Sequence, residues 1–210
     1  LKNLGVRKDR YDTMREGCVI FQAIYQALLS KKVITSGAGV REGAYLCDLL
    51  RSSKHKFSPN FKLSLRSLKD DLYVKRVSNL LFDTLSPLHN LPQQYKLELS
   101  IAAELYNIGI KLGFYQNNLH SFYFVINNLN YGFSHEQKIL IAILIKYHTN
   151  KLPSDEDIET YKTLLPDMQT LGWLSFLLSL AKAINADLSR GKITLSYENH
   201  TLTIKADQKL

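Results

Sequence analysis

The sequence predicts a mainly helical protein: a multi-helix domain closed by a β-hairpin and preceded by a short α/β piece. Three observations carry that prediction. Between about residues 62 and 188, apolar residues recur at spacings of three and four, the signature of amphipathic helices. Beyond them Ile193, Leu195 and Tyr197 alternate with polar residues, and Leu202 and Ile204 alternate again, which reads as two strands. Ahead of them a helical stripe, a β-prone Val33-Ile34-Thr35 and a glycine turn, Ser36-Gly37-Ala38-Gly39, follow one another. Lys, Ser and Pro collect between Arg51 and Asn60, so the expected boundary divides residues 1–52 from residues 53–210.

Taken in order, residues 13–30 place Met14, Cys18, Phe21, Ile24, Tyr25, Leu28 and Leu29 on one stripe. Thr13-x-x-Glu16 has the form of a capping box, and Lys31 and Lys32 follow at the helix's negative end. A second helix is expected from near Arg41, carrying Tyr45, Leu46, Leu49 and Leu50. The single strand between these helices needs neighbours that the chain does not supply. Further helices are expected near 62–90, 95–111, 117–128, 134–149, 155–164 and 168–188. Ser134-x-x-Gln137 and Ser154-x-x-Asp157 mark two of their starts, and Gly109, Gly113, Gly132 and Pro166 punctuate the connections. Glu198-Asn199 is the expected hairpin turn, with the hairpin packed on the last helix.

Composition narrows the function classes. In 210 residues, 45% are apolar, which argues against a disordered polycation. Two cysteines, Cys18 and Cys47, make no disulfide framework and lack metal-site spacing. The longest apolar run, Ile139–Ile145, is far short of a membrane span, and no secretory leader opens the chain. A soluble intracellular protein is expected, and a start at Leu1 without Met is expected of a piece of something longer. The net charge of +8 is uneven: residues 1–76 hold 16 Lys and Arg against 7 Asp and Glu, a balance of +9, while the remainder balances at −1. Such a field attracts polyanions, although a solvated surface kept for solubility has the same composition.

Each local motif carries a bland reading beside a chemical one. Glycines at Ser36–Gly43 allow backbone amides to approach an anion, with Arg41 as a forked phosphate contact. The stretch is neither a P-loop nor a dinucleotide fingerprint, and taken alone a tight structural turn is the stronger reading. Arg7-Lys8-Asp9-Arg10 sets three cations beside a helix start, where they grip a phosphate chain or simply face water. The six histidines, among them His120 and His148, form no His-x-x-x-His motif and no His-Asp pair. Phe122-Tyr123-Phe124-Val125-Ile126 reads as core packing in preference to a base-stacking platform.

Three separated stretches together resemble the exopolyphosphatase/guanosine pentaphosphate phosphohydrolase (Ppx/GppA) family. Gly5-Val6-Arg7-Lys8-Asp9-Arg10-Tyr11-Asp12 through Gly17, followed by Val33–Gly43, is similar to the closing elements of that family's second actin-like domain. Ala102-Ala103-Glu104-Leu105-Tyr106-Asn107-Ile108-Gly109 resembles the Ala-Ala-x-Leu-His-x-x-Gly signature of its helical third domain. His120-Ser121-Phe122-Tyr123, Gly132-Phe133-Ser134 and Lys146-Tyr147-His148 resemble its His-Ser-x-Tyr, Gly-Phe-Ser and Arg-Tyr-His succession, and Leu177–Ala181 fits its last helix.

The resemblance implies the end of an actin-like domain over 1–52 and an HD-like helical domain over 53–210. It implies a cytoplasmic parent enzyme that cleaves terminal phosphate from polyphosphate, or the 5′-phosphate from guanosine pentaphosphate (pppGpp). The catalytic Glu, the phosphate-loop glycines and Mg²⁺ would lie upstream of Leu1, so this part alone is expected to be inactive and to hold no catalytic residue. Arg10, Gly39, Arg41 and His120 are implied as substrate-channel positions. The metal-binding His-Asp pair of HD phosphohydrolases is replaced here by Tyr106-Asn107, and Asn185 stands about where an Asp would complete the set, so no metal is expected in this domain. A homodimer is implied, with neither nucleic acid nor membrane as partner. The competing classes are a non-catalytic polyanion-binding and dimerisation module, an independent HD phosphohydrolase, which Tyr106-Asn107 disfavours, and an RNA-binding domain, for which no aromatic–basic motif is present.

Overall fold

The computed structural model describes residues 5–34, 39–49, 71–129, 132–149, 152–188 and 190–207. The chain divides into two compact units, Leu1–Arg51 and Ser52–Leu210. Among the described residues no helix is long and apolar enough to cross a membrane.

The first unit holds a 3₁₀ turn at Lys8–Arg10, helix α1 (Tyr11–Ala27) and helix α2 (Val40–Leu49). The expected capping box does not form. The helix begins two residues before Thr13, which therefore sits inside the first turn and donates its Oγ1 hydroxyl to the Arg10 carbonyl at 3.3 Å. Val33 and Ile34 lie in no strand, and Thr35 falls outside the described residues, as do the glycine-turn residues Ser36–Ala38. A β-prone run without a partner to share its ladder has no reason to stay extended. No residue of α1 is buried, so its apolar stripe, including Phe21 and Leu28, is uncovered.

The second unit contains α3 (Leu72–Thr84), the single turn α4 (Ser86–His89), α5 (Tyr95–Leu105), a 3₁₀ segment at Ile108–Lys111 and α6 (Asn117–Asn128). It continues with α7 (His135–Lys146), the short α8 (Asp155–Thr160), α9 (Met168–Ile184) and strands β1 (Ile193–Glu198) and β2 (Thr201–Ala206). The expected linker at 51–60, and the start of the helix expected from 62, lie outside the described residues. Helices expected as single long spans are shorter or broken, and at two of these points a residue satisfies the frayed end. The Asp71 carboxylate accepts from the amides of Tyr73 and Val74 and opens α3. Asn90, in the left-handed region at φ 50°, closes α4.

Two helices form the centre. Every residue from Glu98 to Leu105 in α5, and from Ile139 to Ile145 in α7, is buried. The apolar run that was too short for a membrane is thus the axis of the core, covered on all sides. Helix α5 packs on α3 and α7, α7 on α6, and α3 also receives α9 and β1. Capping is as expected at α7: Ser134 Oγ accepts from the Gln137 amide while the Gln137 side chain accepts from the Ser134 amide. Ser134→Ala is expected to cost about 1 kcal/mol in urea denaturation, since both ends of this reciprocal pair face solvent competition once the hydroxyl is gone.

The strands form an antiparallel hairpin in register from Ile193↔Ala206 to Glu198↔Thr201. The turn is Asn199-His200, one residue later than expected, with φ of 48° and 60°, the left-handed pair that a two-residue hairpin turn demands. The hairpin's main packing partner is α3, not the last helix. The Tyr73 hydroxyl pins this arrangement by donating to the Gly191 carbonyl at 2.5 Å.

Candidate functional site

The implied channel residues fall in both units. In the first, Arg10 ends the 3₁₀ turn and Arg41 is the second residue of α2, and both are exposed. Arg7, by contrast, pairs with Asp9 at 3.6 Å. The amide of Gly39 donates to Glu42 Oε2 at 2.9 Å, and a Cβ on Gly39 would sit 2.9 Å from that same oxygen. Gly39 therefore starts α2 with its N–H already answered by an acidic side chain three residues on. An anion would have to displace Glu42 to use it.

In the second unit, His120 is half-buried on α6, and its Nε2 lies 3.4 Å from where a Cβ on Gly113 would stand. Its neighbour Ser121 does the structural work. Ser121 is fully buried and its Oγ accepts from the Gly109 amide at 2.8 Å. Two of the motif stretches therefore meet here: the glycine that ends one seats its backbone against the helix that carries the other.

Tyr106 and Asn107, adjacent in sequence, turn apart. Asn107 turns to α6 and accepts from Asn117 Nδ2 at 2.9 Å. Tyr106 turns inward, with its ring edge-on to His148 at 5.2 Å between centroids and its hydroxyl 3.5 Å from Asp71 Oδ2. Lys182, from α9, completes the group. Its ammonium donates to His148 Nδ1 and to the His148 carbonyl, both at 2.9 Å, and lies 5.3 Å from the centre of the Tyr106 ring. Close by in sequence, Asn185 caps α9 and is 3% exposed, with neither side-chain amide atom partnered.

The electrostatics follow from burial. His148 is 5% exposed, and desolvation, reinforced by the Lys182 charge, pushes its pKa down to about 4. Because Nδ1 accepts from Lys182, the ring proton resides on Nε2, a buried donor without a partner. Desolvation likewise lowers Lys182 to about 8. On the other side of Tyr106 in sequence, Glu104 is fully buried and accepts from Lys75 Nζ at 2.5 Å. Among the described residues no three His, Cys, Asp or Glu are grouped to hold a metal ion. The donor set at this position is also wrong for one: a resident ammonium occupies the imidazole nitrogen and repels a divalent charge.

Lys182 is the residue that sequence reasoning missed. It sits mid-pattern near the end of an apolar helix, where a lysine reads as a solvated dipole partner. The signal available was its position three residues before Asn185, one helical turn along the same face.

The fold and this centre define the class: a helical domain with a terminal hairpin, whose polar core is organised around an ammonium, a histidine and a tyrosine. Residues 56–210 match the family model for Ppx/GppA phosphatase, domain III. The match spans well over half of the chain, and the chain belongs to the Ppx/GppA phosphatase family. Membership makes it part of a hydrolase of that phosphatase group.

Proposed function

We propose that this chain is the C-terminal part of a cytoplasmic enzyme releasing terminal phosphate from inorganic polyphosphate, or the 5′-phosphate from pppGpp. The family match over 56–210 carries this reading. In it, the catalytic Glu and the phosphate-binding glycines belong to actin-like lobes upstream, where Mg²⁺ supplies Lewis-acid charge neutralisation. Residues 1–52 are then the end of the second lobe. The uncovered apolar stripe of α1 supports this, because such a stripe normally faces a larger core.

The role of this part is to line the substrate channel through Arg10, Gly39, Arg41 and His120 and to supply dimer contacts. Exposure of Arg10 and Arg41, neither in an ion pair among the described residues, leaves both guanidinium groups available to phosphate oxygens. No metal is assigned to the helical domain, where Lys182 already provides positive charge. Stoichiometric divalent metal in the purified domain would contradict that assignment.

The test is phosphate release by the full-length protein from polyphosphate and from pppGpp in parallel. Arg10→Ala is expected to lower kcat/KM on long-chain polyphosphate by about tenfold, the loss of one charge-assisted contact. Unchanged long-chain kinetics would remove Arg10 from the channel. A second reading, a non-catalytic polyanion-binding and dimerisation module, draws on the exposed face of α9, where Phe176 is 49% exposed beside Trp173 and Gly172. Absence of phosphate release from both substrates by the full-length protein would favour it.

A further inference from the structure

The helical unit contains a cleft with a charge opposite to that of the protein as a whole. It has a volume of about 460 Å³ and lies between the start of α5, the first turns of α7 and the segment that leads into α9. Two carboxylates, Glu98 and Glu136, line it, and among the described residues no lysine, arginine or histidine does. Its remaining walls include Tyr95, Leu140, Leu164 and Pro166. In a chain of net charge +8, an acidic cleft without a cation is out of character.

Glu98 is the informative residue. It is 4% exposed, and its Oε1 accepts from Gln137 Nε2 at 2.9 Å. The other end of this amide is fixed, since Gln137 Oε1 accepts from the Ser134 amide at 3.1 Å as half of the α7 capping box, and that sets the orientation of Nε2. Glu98 Oε2 is buried with no partner. A buried carboxylate answered on one oxygen by a neutral amide is expensive unless a positive charge reaches it. A helix cap thus orients this group, while its second oxygen stays buried and unpartnered at the wall of the cleft.

We propose that the cleft binds a small organic cation, with an alkyl-ammonium or alkyl-guanidinium head on Glu98 and its stem against Tyr95, Leu140, Leu164 and Pro166. A divalent metal fits less well, because no third acidic or imidazole ligand joins the two carboxylates among the described residues and half the wall is apolar. The site is independent of the phosphohydrolase reading and stands or falls without it.

The test is calorimetric titration and thermal unfolding of the 210-residue chain with n-butylguanidinium, n-butylammonium, 1-butanol and Mg²⁺. Both organic cations are expected to bind saturably and raise the unfolding midpoint, while the alcohol and Mg²⁺ do neither. Glu98→Gln, which keeps shape but needs no counter-ion, is expected to fold with an equal or higher midpoint and to bind the cations at least about thirtyfold more weakly. Thr163→Lys, an exposed position on the cleft, tethers an ammonium there and is expected to block the free cations while raising the midpoint. No binding by wild type, equal binding by Glu98→Gln or by the alcohol, or a response to Mg²⁺ alone would each overturn the proposal. So would free cations binding undiminished to the Thr163→Lys chain.

Discussion

Gly109→Ala is expected to destabilise the helical unit by about 3 kcal/mol, an overpacking loss with no cheap relief. The new Cβ would stand 2.2 Å from the Asn117 carbonyl oxygen, 2.4 Å from the Ser121 nitrogen and 2.7 Å from His120 Cβ. Two of these are backbone atoms in the first turn of α6, so no rotamer change removes the clash. Helix α6 must move off the 3₁₀ segment, and the Gly109 amide then loses the buried Ser121 hydroxyl. The same substitution at Gly172 should have the opposite sign. A Cβ there meets nothing within 4 Å, and alanine in mid-helix is favoured by up to about 1 kcal/mol. Urea midpoints of the two variants check the pair. Similar midpoints would show that Gly109 is not a point of forced contact.

The second large effect is a dependence on pH centred on His148. Unfolded, its imidazole titrates near the ordinary 6.5, whereas in the fold it is held near 4. Between those values the unfolded chain takes a proton that the folded one refuses. The stabilisation is therefore complete above about 6.5 and is lost as the pH falls towards 4, amounting to roughly 3 kcal/mol. His148→Asn retains an acceptor for Lys182 but cannot titrate, so the gap between wild type and this variant should close over that interval. Lys182 contributes in a separate window. Its folded pKa of about 8 lies below the ordinary 10.5, so stability should rise as the pH increases from 8 to 10.5, and Lys182→Met should lack that rise. Parallel stability profiles for wild type and both variants would show that the cluster is not electrically coupled to folding.

The fold was legible wherever a local rule decides it. Helix α6 spans the 117–128 read from spacing, and the Ser134 and Ser154 caps lie where the sequence puts them. Local rules failed where another residue claimed the same role. Thr13 resembles a cap, but the preceding 3₁₀ turn had already begun the helix. The expected turn at Glu198-Asn199 shifted because Glu198 is held in register opposite Thr201. The polar centre was half legible: the family resemblance drew attention to Tyr106 and Asn107, yet spacing alone does not disclose that Lys182 reaches His148 and the Tyr106 ring. Glu98 was invisible for a related reason. A glutamate in the first turn of a helix reads as a dipole partner in water, and only tertiary packing of α7 buries it.

The position of α3 bears on how the chain is made. Its buried face, with Val74, Val77 and Leu81, is covered partly by α5, some 20 residues on, and partly by α9 and β1, which begin about 95 and 120 residues after the start of α3. During synthesis α3 therefore keeps apolar surface open until α9 and β1 have also emerged. Any message truncated before α9 yields a polypeptide whose α3 has lost one of its covering walls. Such products are natural clients for chaperones and proteases, because the face left open is apolar.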